Sequence, residues 1–140
     1  MIDRIIGAAV SALVLYLLIK LFRNISNRHT VSSYNKGRLS SMDVNKLIDL
    51  YFACMSQKAF SKCDEVAKEM LVKLGDGDVN ARYYMGKSLL LQERFIEALN
   101  HYTFVNDNWS DIVWCDELLS KKEFNEEFAI CRVMEVAQKS

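Results

Sequence analysis

The feature that most constrains this chain is an uncharged apolar run near its N-terminus. Residues 5–19 read IIGAAVSALVLYLLI, and residues 20–22 lengthen the run. A helix that spans a bilayer needs about 20 mostly apolar residues, and the side chain of Lys20 can reach the headgroups. The run lacks the polar face of a helix in a soluble core, and no small-residue cleavage site follows it. We therefore predict a permanent transmembrane anchor over residues 1–23, rather than a signal peptide or a buried soluble helix.

Charge is distributed unevenly along the chain. The whole sequence is neutral, with 18 basic and 18 acidic residues. Residues 1–40 hold six of the basic residues against Asp3 alone, a net charge of +5, so residues 41–140 carry a net charge of −5. Because basic residues stay on the cytoplasmic side of a span, we predict a single-pass membrane protein with its N-terminus outside and its C-terminal domain in the cytosol. The basic residues after the span either bind anionic lipid headgroups or act only as this topological signal.

The apolar run also contains small residues at a spacing of four. This spacing places them along one face of a helix, and such strips let two membrane helices approach closely. An apolar helix that contains alanine often has such a strip by chance, so both interpretations stay open. The small residues in the strip are Gly7, Ala8, Ser11 and Ala12.

The rest of the chain has the composition and periodicity of an all-α domain. It contains no proline and few glycines, whereas an all-β sandwich needs frequent turns. Residues 24–41 are polar, rich in Ser and Asn, and aperiodic, which predicts a basic linker. Over residues 42–140, apolar residues recur at helical spacing in segments separated by short polar breaks. We therefore predict about three helix pairs, with the first helix of the third pair at residues 112–119.

A repeat relates the first two helix pairs. Phe60 lies 35 residues before Phe95, and Cys63 lies 35 residues before Ala98. A period in the mid-thirties built from two helices resembles the tetratricopeptide repeat family, although Arg82 stands where that family usually has tryptophan. The resemblance implies an α-hairpin solenoid in which small residues let paired helices cross and aromatic residues fill the groove to the next hairpin. The residues in these packing places are Phe60, Cys63, Gly86, Phe95, Ala98 and Tyr102.

The same resemblance implies a binding groove lined by the first helix of each hairpin. Such a groove binds a helical or extended peptide segment of a partner protein. Alternatively, its apolar members are core residues that the chain's own linker or third hairpin covers. The residues in the groove places are Asn45, Ile48, Phe52, Met55, Tyr83, Lys87 and Leu90.

No residue pattern indicates catalysis, and we expect no enzyme activity, cofactor, metal or small-molecule substrate. His101 has no accompanying nucleophile motif and is expected at a hairpin edge or in solvent, while Glu126 and Glu127 are expected to be solvated surface charges. Gly75 and Gly77 follow a helix and lack the lysine of a phosphate-binding loop. The acidic body opposes nucleic-acid binding. The cysteines form no C-x-x-C pair and are expected to be buried, reduced thiols, namely Cys54, Cys63, Cys115 and Cys131.

Two classes of function follow from an anchor joined to a helical repeat domain. In the first, the protein is a membrane-anchored adaptor, scaffold or receptor that binds a segment of a partner protein. In the second, it is a small structural or accessory subunit that packs on neighbouring subunits of a membrane complex. The layout is similar to that of mitochondrial outer-membrane import receptors, and it also suits a bacterial inner membrane. In both classes the partners are proteins, together with membrane lipids around the N-terminal helix.

Overall fold

The computed structural model describes residues 1–111 and 120–140, and these residues form helices joined by short turns, with no strand among them. The all-α prediction is confirmed. The helix predicted at residues 112–119 lies outside the described residues. The α-helices are α1 (Ile2–Ser32), α2 (Val44–Ser56), α3 (Phe60–Leu74), α4 (Val79–Leu91), α5 (Phe95–Asp107) and α6 (Lys121–Lys139), and 3-10 turns cover Lys36–Ser41 and Trp109–Asp111.

Helix α1 is long and apolar enough to span a membrane, and it is the one helix in the described ranges with that property. An 18-residue window within it has a mean hydropathy of 2.4, and none of that window is buried against the rest of the chain. The body therefore leaves the apolar part of α1 uncovered, although a helix in a soluble core would be covered there.

The polar stretch after the apolar run differs from the aperiodic linker that the sequence predicts. Helix α1 continues without a break to Ser32, and its last turns pack against α2. Asn27 Nδ2 donates a hydrogen bond to Ser56 Oγ at 3.0 Å, and Gln57 Nε2 donates to Asn24 Oδ1 at 2.9 Å. Ser and Asn residues form helix weakly by themselves, but an already formed helix propagates cheaply into them and the contacts with α2 stabilise it.

The segment between α1 and α2 is also packed against the body. Leu39, in the 3-10 turn, is buried in the core, and Lys73 Nζ donates to the carbonyl oxygen of Ser40 at 2.7 Å. The Tyr34 hydroxyl donates a hydrogen bond to the Glu65 carboxylate, and this bond holds the pKa of Glu65 below its usual value. Residues 24–41 therefore belong to the folded domain as well as joining it to the anchor.

Helices α2 and α3 form one antiparallel hairpin, and α4 and α5 form the next. Asp43 and Asp78 fix the starts of α2 and α4, because each carboxylate accepts a hydrogen bond from a backbone N–H three residues later. At the start of α6, Ser120 and Glu123 form a reciprocal capping box. The cysteines of the described ranges, Cys54, Cys63 and Cys131, are buried free thiols, while Cys115 lies outside those ranges.

The crossing of α4 and α5 is tight at Gly86. A Cβ atom built on this glycine would lie 3.0 Å from ring carbons of Tyr102 and 3.1 Å from the Cβ of His101. Ala98 and Tyr102, on the facing side of α5, are also buried. The side chains of α5 therefore occupy the space that any larger residue at position 86 would need. Cys63 and Phe95 are buried as well, and Phe60 is half-buried.

The close crossing predicts that replacing glycine with leucine destabilises the protein much more at position 86 than at position 77. Gly86→Leu should lower the free energy of unfolding by about 1–3 kcal/mol, because the added side chain overpacks the crossing of α4 and α5. Gly77→Leu is the matched control, since a Cβ at Gly77 meets nothing within 4 Å. It should change stability by no more than about 0.5 kcal/mol. Denaturant unfolding of the full chain in mild detergent, followed by circular dichroism, measures both, and equal effects would contradict the close crossing.

Candidate functional site

A pocket of about 410 Å³ opens between α2, α4 and α6. Two successive hairpins supply opposite walls through their first helices, and α6 closes the third side. The apolar lining consists of Tyr51, Phe52 and Met55 from α2, Tyr83 and Tyr84 from α4, and Ile130 from α6. The charged lining consists of Lys87 from α4 and of Glu123, Glu126 and Glu127 from α6. The pocket thus combines an aromatic interior with a rim of negative net charge.

The aromatic interior is held together by contacts between α2 and α4. The hydroxyl of Tyr51 donates a hydrogen bond to the carbonyl oxygen of Tyr84 at 2.9 Å, and the two ring centroids are 4.7 Å apart. Burial raises the pKa of Tyr84 to about 12, so this phenol is neutral at physiological pH. The ring of Phe52 packs edge-on against Tyr84 with a centroid distance of 5.8 Å, yet 42% of the Phe52 residue is exposed. Phe52 is therefore the apolar residue of this wall that a ligand can cover.

Glu127 connects α6 to both helices of the second hairpin. Its Oε2 accepts hydrogen bonds from the hydroxyls of Tyr83 at 2.9 Å and Tyr102 at 2.7 Å, and its Oε1 pairs with the ammonium of Lys87. Only 17% of the Glu127 side chain is exposed. Burial and the neighbouring carboxylate raise the pKa values of Tyr83 and Tyr102 well above the usual range, so both phenols remain hydrogen-bond donors.

The prediction that Glu127 is a solvated surface charge is therefore wrong, whereas Glu126 is exposed as expected. The buried face of α6 is formed by Phe124, Phe128 and Cys131. Glu127 lies three residues after the first of these and four before the last, which places it on the same face. The spacing therefore indicated this face in the sequence. The tyrosine hydroxyls that stabilise the half-buried carboxylate come from α4 and α5, and no pattern near Glu127 indicates them.

The structure brings together four of the seven residues predicted for the groove. Phe52, Met55, Tyr83 and Lys87 line the pocket. The ammonium of Lys87 is paired within the chain by Glu127. The cationic side chain is therefore already neutralised and leaves the rim acidic.

The other three predicted groove residues do not line this pocket. Asn45 is exposed on α2. Ile48 is half-buried and lines a separate, smaller cavity of about 220 Å³ between α2, α3 and α4. Leu90 is half-buried and packs against the core, as the alternative interpretation expected for it. Most of the lining residues that the sequence did not predict come from α6. The repeat predicted from the sequence contains only two helices in each unit, so it gave no indication that α6 would line this pocket.

Comparison of the chain with protein-family models, with curated proteins and with solved structures finds no match. The resemblance to tetratricopeptide repeats therefore depends only on the spacing of residues in this chain.

The contacts of Glu127 predict that replacing it with glutamine destabilises the protein more than the same change at the adjacent Glu126. Glu127→Gln should lower the free energy of unfolding by roughly 1–3 kcal/mol, because it removes the charge that pairs with Lys87 and weakens the hydrogen bonds from Tyr83 and Tyr102. Glu126→Gln is the matched control at an exposed position of the same helix and should have an effect below about 0.5 kcal/mol. Thermal unfolding of both variants in the same detergent makes the comparison. A larger effect at position 126 would rule out this role for Glu127.

His101 lies at the edge of the α4–α5 hairpin and does not line the pocket. Its Nδ1 is 3.4 Å from Nη1 of Arg82. Burial, and next the charge of Arg82, lower the pKa of His101 below its ordinary value. The arrangement favours a neutral imidazole that accepts from the guanidinium, which is a structural role.

This lowered pKa predicts that acid weakens the fold. Near pH 6.5 and below, the unfolded chain binds a proton at His101 more readily than the folded chain does, so stability falls as the pH drops from 7.5 to 5.5. His101→Gln removes this contribution and should flatten the stability profile across that window. Unfolding midpoints of the wild type and the variant, measured at half-unit pH intervals, test the expectation. Parallel profiles would contradict it.

Proposed function

We propose that the protein is a membrane-anchored adaptor that binds a helical segment of a partner protein in the pocket between α2, α4 and α6. The anchor is α1, and the net charge of +5 over residues 1–40 supports a cytosolic position for the body. The observation that carries the proposal is the open aromatic pocket, at whose edge Phe52 remains 42% exposed. Exposed aromatic side chains beside a well-formed pocket are typical anchor points for a partner.

The arrangement of helices supports a tetratricopeptide-like description of the body. Helices α2 and α4 occupy equivalent places in two successive hairpins and present side chains to the same pocket. Stacked hairpins of this kind form a concave surface that binds extended or helical peptides. Helix α6 narrows this surface without filling it, which makes the pocket short and enclosed on three sides.

The charges around the pocket favour a basic partner segment. Glu123 and Glu126 are exposed at the rim, whereas Lys87 is neutralised by Glu127. A segment with apolar residues for the aromatic wall and with Lys or Arg beside them complements this surface. The acidic net charge of the whole body acts in the same direction over longer distances.

A pair of designed peptides tests the partner chemistry. An amphipathic helical peptide with an apolar stripe flanked by lysines should bind the full chain in nanodiscs, and the same peptide with glutamates in place of the lysines should bind much more weakly. Phe52→Ala should reduce the affinity for the basic peptide about tenfold, or about 1.4 kcal/mol, because the exposed ring loses its buried contact with the peptide. Fluorescence anisotropy measures both dissociation constants.

Val72→Ala is the matched control for Phe52→Ala, since Val72 is an exposed apolar residue on α3 outside the pocket. It should leave the affinity unchanged. Equal affinities for the two peptides, or unfolding of the Phe52→Ala protein without selective loss of binding, would contradict the adaptor proposal.

A second candidate, a structural subunit of a membrane complex, is favoured by the outer face of α6. Val133 and Val136 on this helix lie outside the pocket and are 67% and 65% exposed. Neighbouring exposed apolar side chains often mark a contact with another protein, so these residues suit a neighbouring subunit. Purification in mild detergent separates the candidates, because an adaptor runs alone and a subunit runs in a stoichiometric assembly.

A further inference from the structure

We propose that the crevice between α1 and the C-terminal end of α2 binds the phosphodiester headgroup of an anionic phospholipid. The crevice has a volume of about 520 Å³. Helix α1 supplies most of its lining, and Ser56 of α2 supplies the opposite wall. The lining residues on α1 include Leu17, Lys20, Leu21, Arg23 and Asn24.

The crevice lies where α1 would leave a bilayer, and the inference rests on the membrane insertion proposed above. The apolar run of residues 5–22 has a helical length of about 27 Å at 1.5 Å per residue, close to the thickness of about 30 Å of the hydrocarbon core. Arg23 then lies just beyond the hydrocarbon core, at the level of the phosphate groups, and the long side chain of Lys20 reaches the same level. The contacts of Asn24 and Asn27 with the α2 end bring the body to this same level.

The lining of the crevice changes from apolar to cationic along α1, as a phospholipid changes from its acyl chain to its headgroup. Leu17 and Leu21 are both more than half exposed, so they suit the first carbons of an acyl chain. Lys20 lies beside Leu21, and Arg23 follows two residues later, so the crevice is apolar at Leu17 and cationic at Arg23. Neither Lys20 nor Arg23 makes an ion pair with any residue in the described part of the chain. Two cations that lack an intramolecular partner are suited to a phosphate oxygen.

Asn24 adds hydrogen-bond donors at the same place. Its Oδ1 accepts from Gln57 Nε2, which orients the amide. Its Nδ2 donates to no group within residues 1–111 and 120–140. Lys20 lies three residues before Arg23 and four before Asn24, so its side chain is a neighbour of both on the helix surface, and all three line the crevice.

The α2 wall distinguishes this crevice from an ordinary basic flank of a membrane helix. Ser56 Oγ accepts from Asn27 Nδ2 and donates to the carbonyl oxygen of Ala53 at 2.8 Å, which fixes the wall beside α1. A flank that serves only as a topological signal needs charge but no opposing wall. A preformed cleft with a cationic end and an apolar end selects a lipid over a free phosphate, because only the lipid uses both ends.

Lipid retention by the full chain tests the site. The protein is purified in mild detergent, titrated with phosphatidylglycerol or phosphatidylcholine, and examined by native mass spectrometry. We expect one phosphatidylglycerol to be retained in preference to phosphatidylcholine. The double variant Lys20→Gln/Arg23→Gln should reduce this retention at least fivefold, and Asn24→Asp should reduce it too, because the new carboxylate repels the phosphate while Oδ1 still accepts from Gln57.

The matched control removes the same number of charges away from the crevice, by Arg38→Gln together with Lys46→Gln. This control should retain phosphatidylglycerol as the wild type does. An equal loss in the control, or no loss in the crevice variants, would overturn the site. Displacement of the lipid by an equimolar amount of soluble glycerophosphate would overturn its assignment to a lipid.

Carbonate extraction of membranes that contain the same variants separates the site from the anchor. All variants should remain in the membrane pellet if α1 is inserted. A wild-type protein that is itself extracted would contradict membrane insertion, and with it the level at which the crevice is placed. Loss of lipid retention with normal membrane insertion is the result that identifies the crevice as the binding site.

Discussion

The position of α6 depends on one half-buried carboxylate. Glu127 accepts hydrogen bonds from two tyrosines on two different helices and pairs with Lys87, so both of its oxygens are engaged. An unpaired carboxylate at this depth would be costly, whereas one with three donors is stable and directional. Apolar contacts of Phe124 with the rings of Tyr83 and Tyr102 surround these bonds. Together they hold the last described helix against α4 and α5, and in that position it closes the pocket that α2 and α4 line.

The second constraint is the continuity of α1. One helix begins in the apolar run and ends in contact with α2, and the polar segment after it is packed on α3 through Leu39 and Tyr34. Helix α1 and the body are therefore parts of one packed structure. This arrangement places the crevice beside α1 and the pocket between α2, α4 and α6 on the same folded unit.

Much of this architecture could be predicted from the sequence, because it depends on local patterns. The apolar run, the helical periodicity, and the small residues Gly86 and Ala98 are each visible within a few turns of helix. Residues 24–32 were not recognised as helical, since their Ser and Asn residues have weak helical preference and their partners Ser56 and Gln57 are some 30 residues away.

The pocket was only half predictable for the same physical reason. Phe52 and Tyr83 follow from the register of the first two hairpins, whereas the α6 wall depends on hydrogen bonds between residues 25 to 44 positions apart. Residues this far apart in the sequence form no local pattern from which their hydrogen bonds could be predicted. Glu127 shows this most clearly, since a glutamate is normally expected in solvent and only its distant tyrosine partners stabilise it in a half-buried position.

The unbroken α1 also gives the protein a mechanical property. A membrane helix adjusts its tilt when the hydrocarbon thickness of the bilayer changes. A flexible linker would absorb that adjustment, but the hydrogen bonds from Asn27 and to Asn24 join the helix to α2. In the proposed membrane-inserted state, a change in the tilt of α1 therefore rotates the whole body by the same angle. The bilayer thickness would then set the angle at which the pocket between α2, α4 and α6 faces the membrane surface.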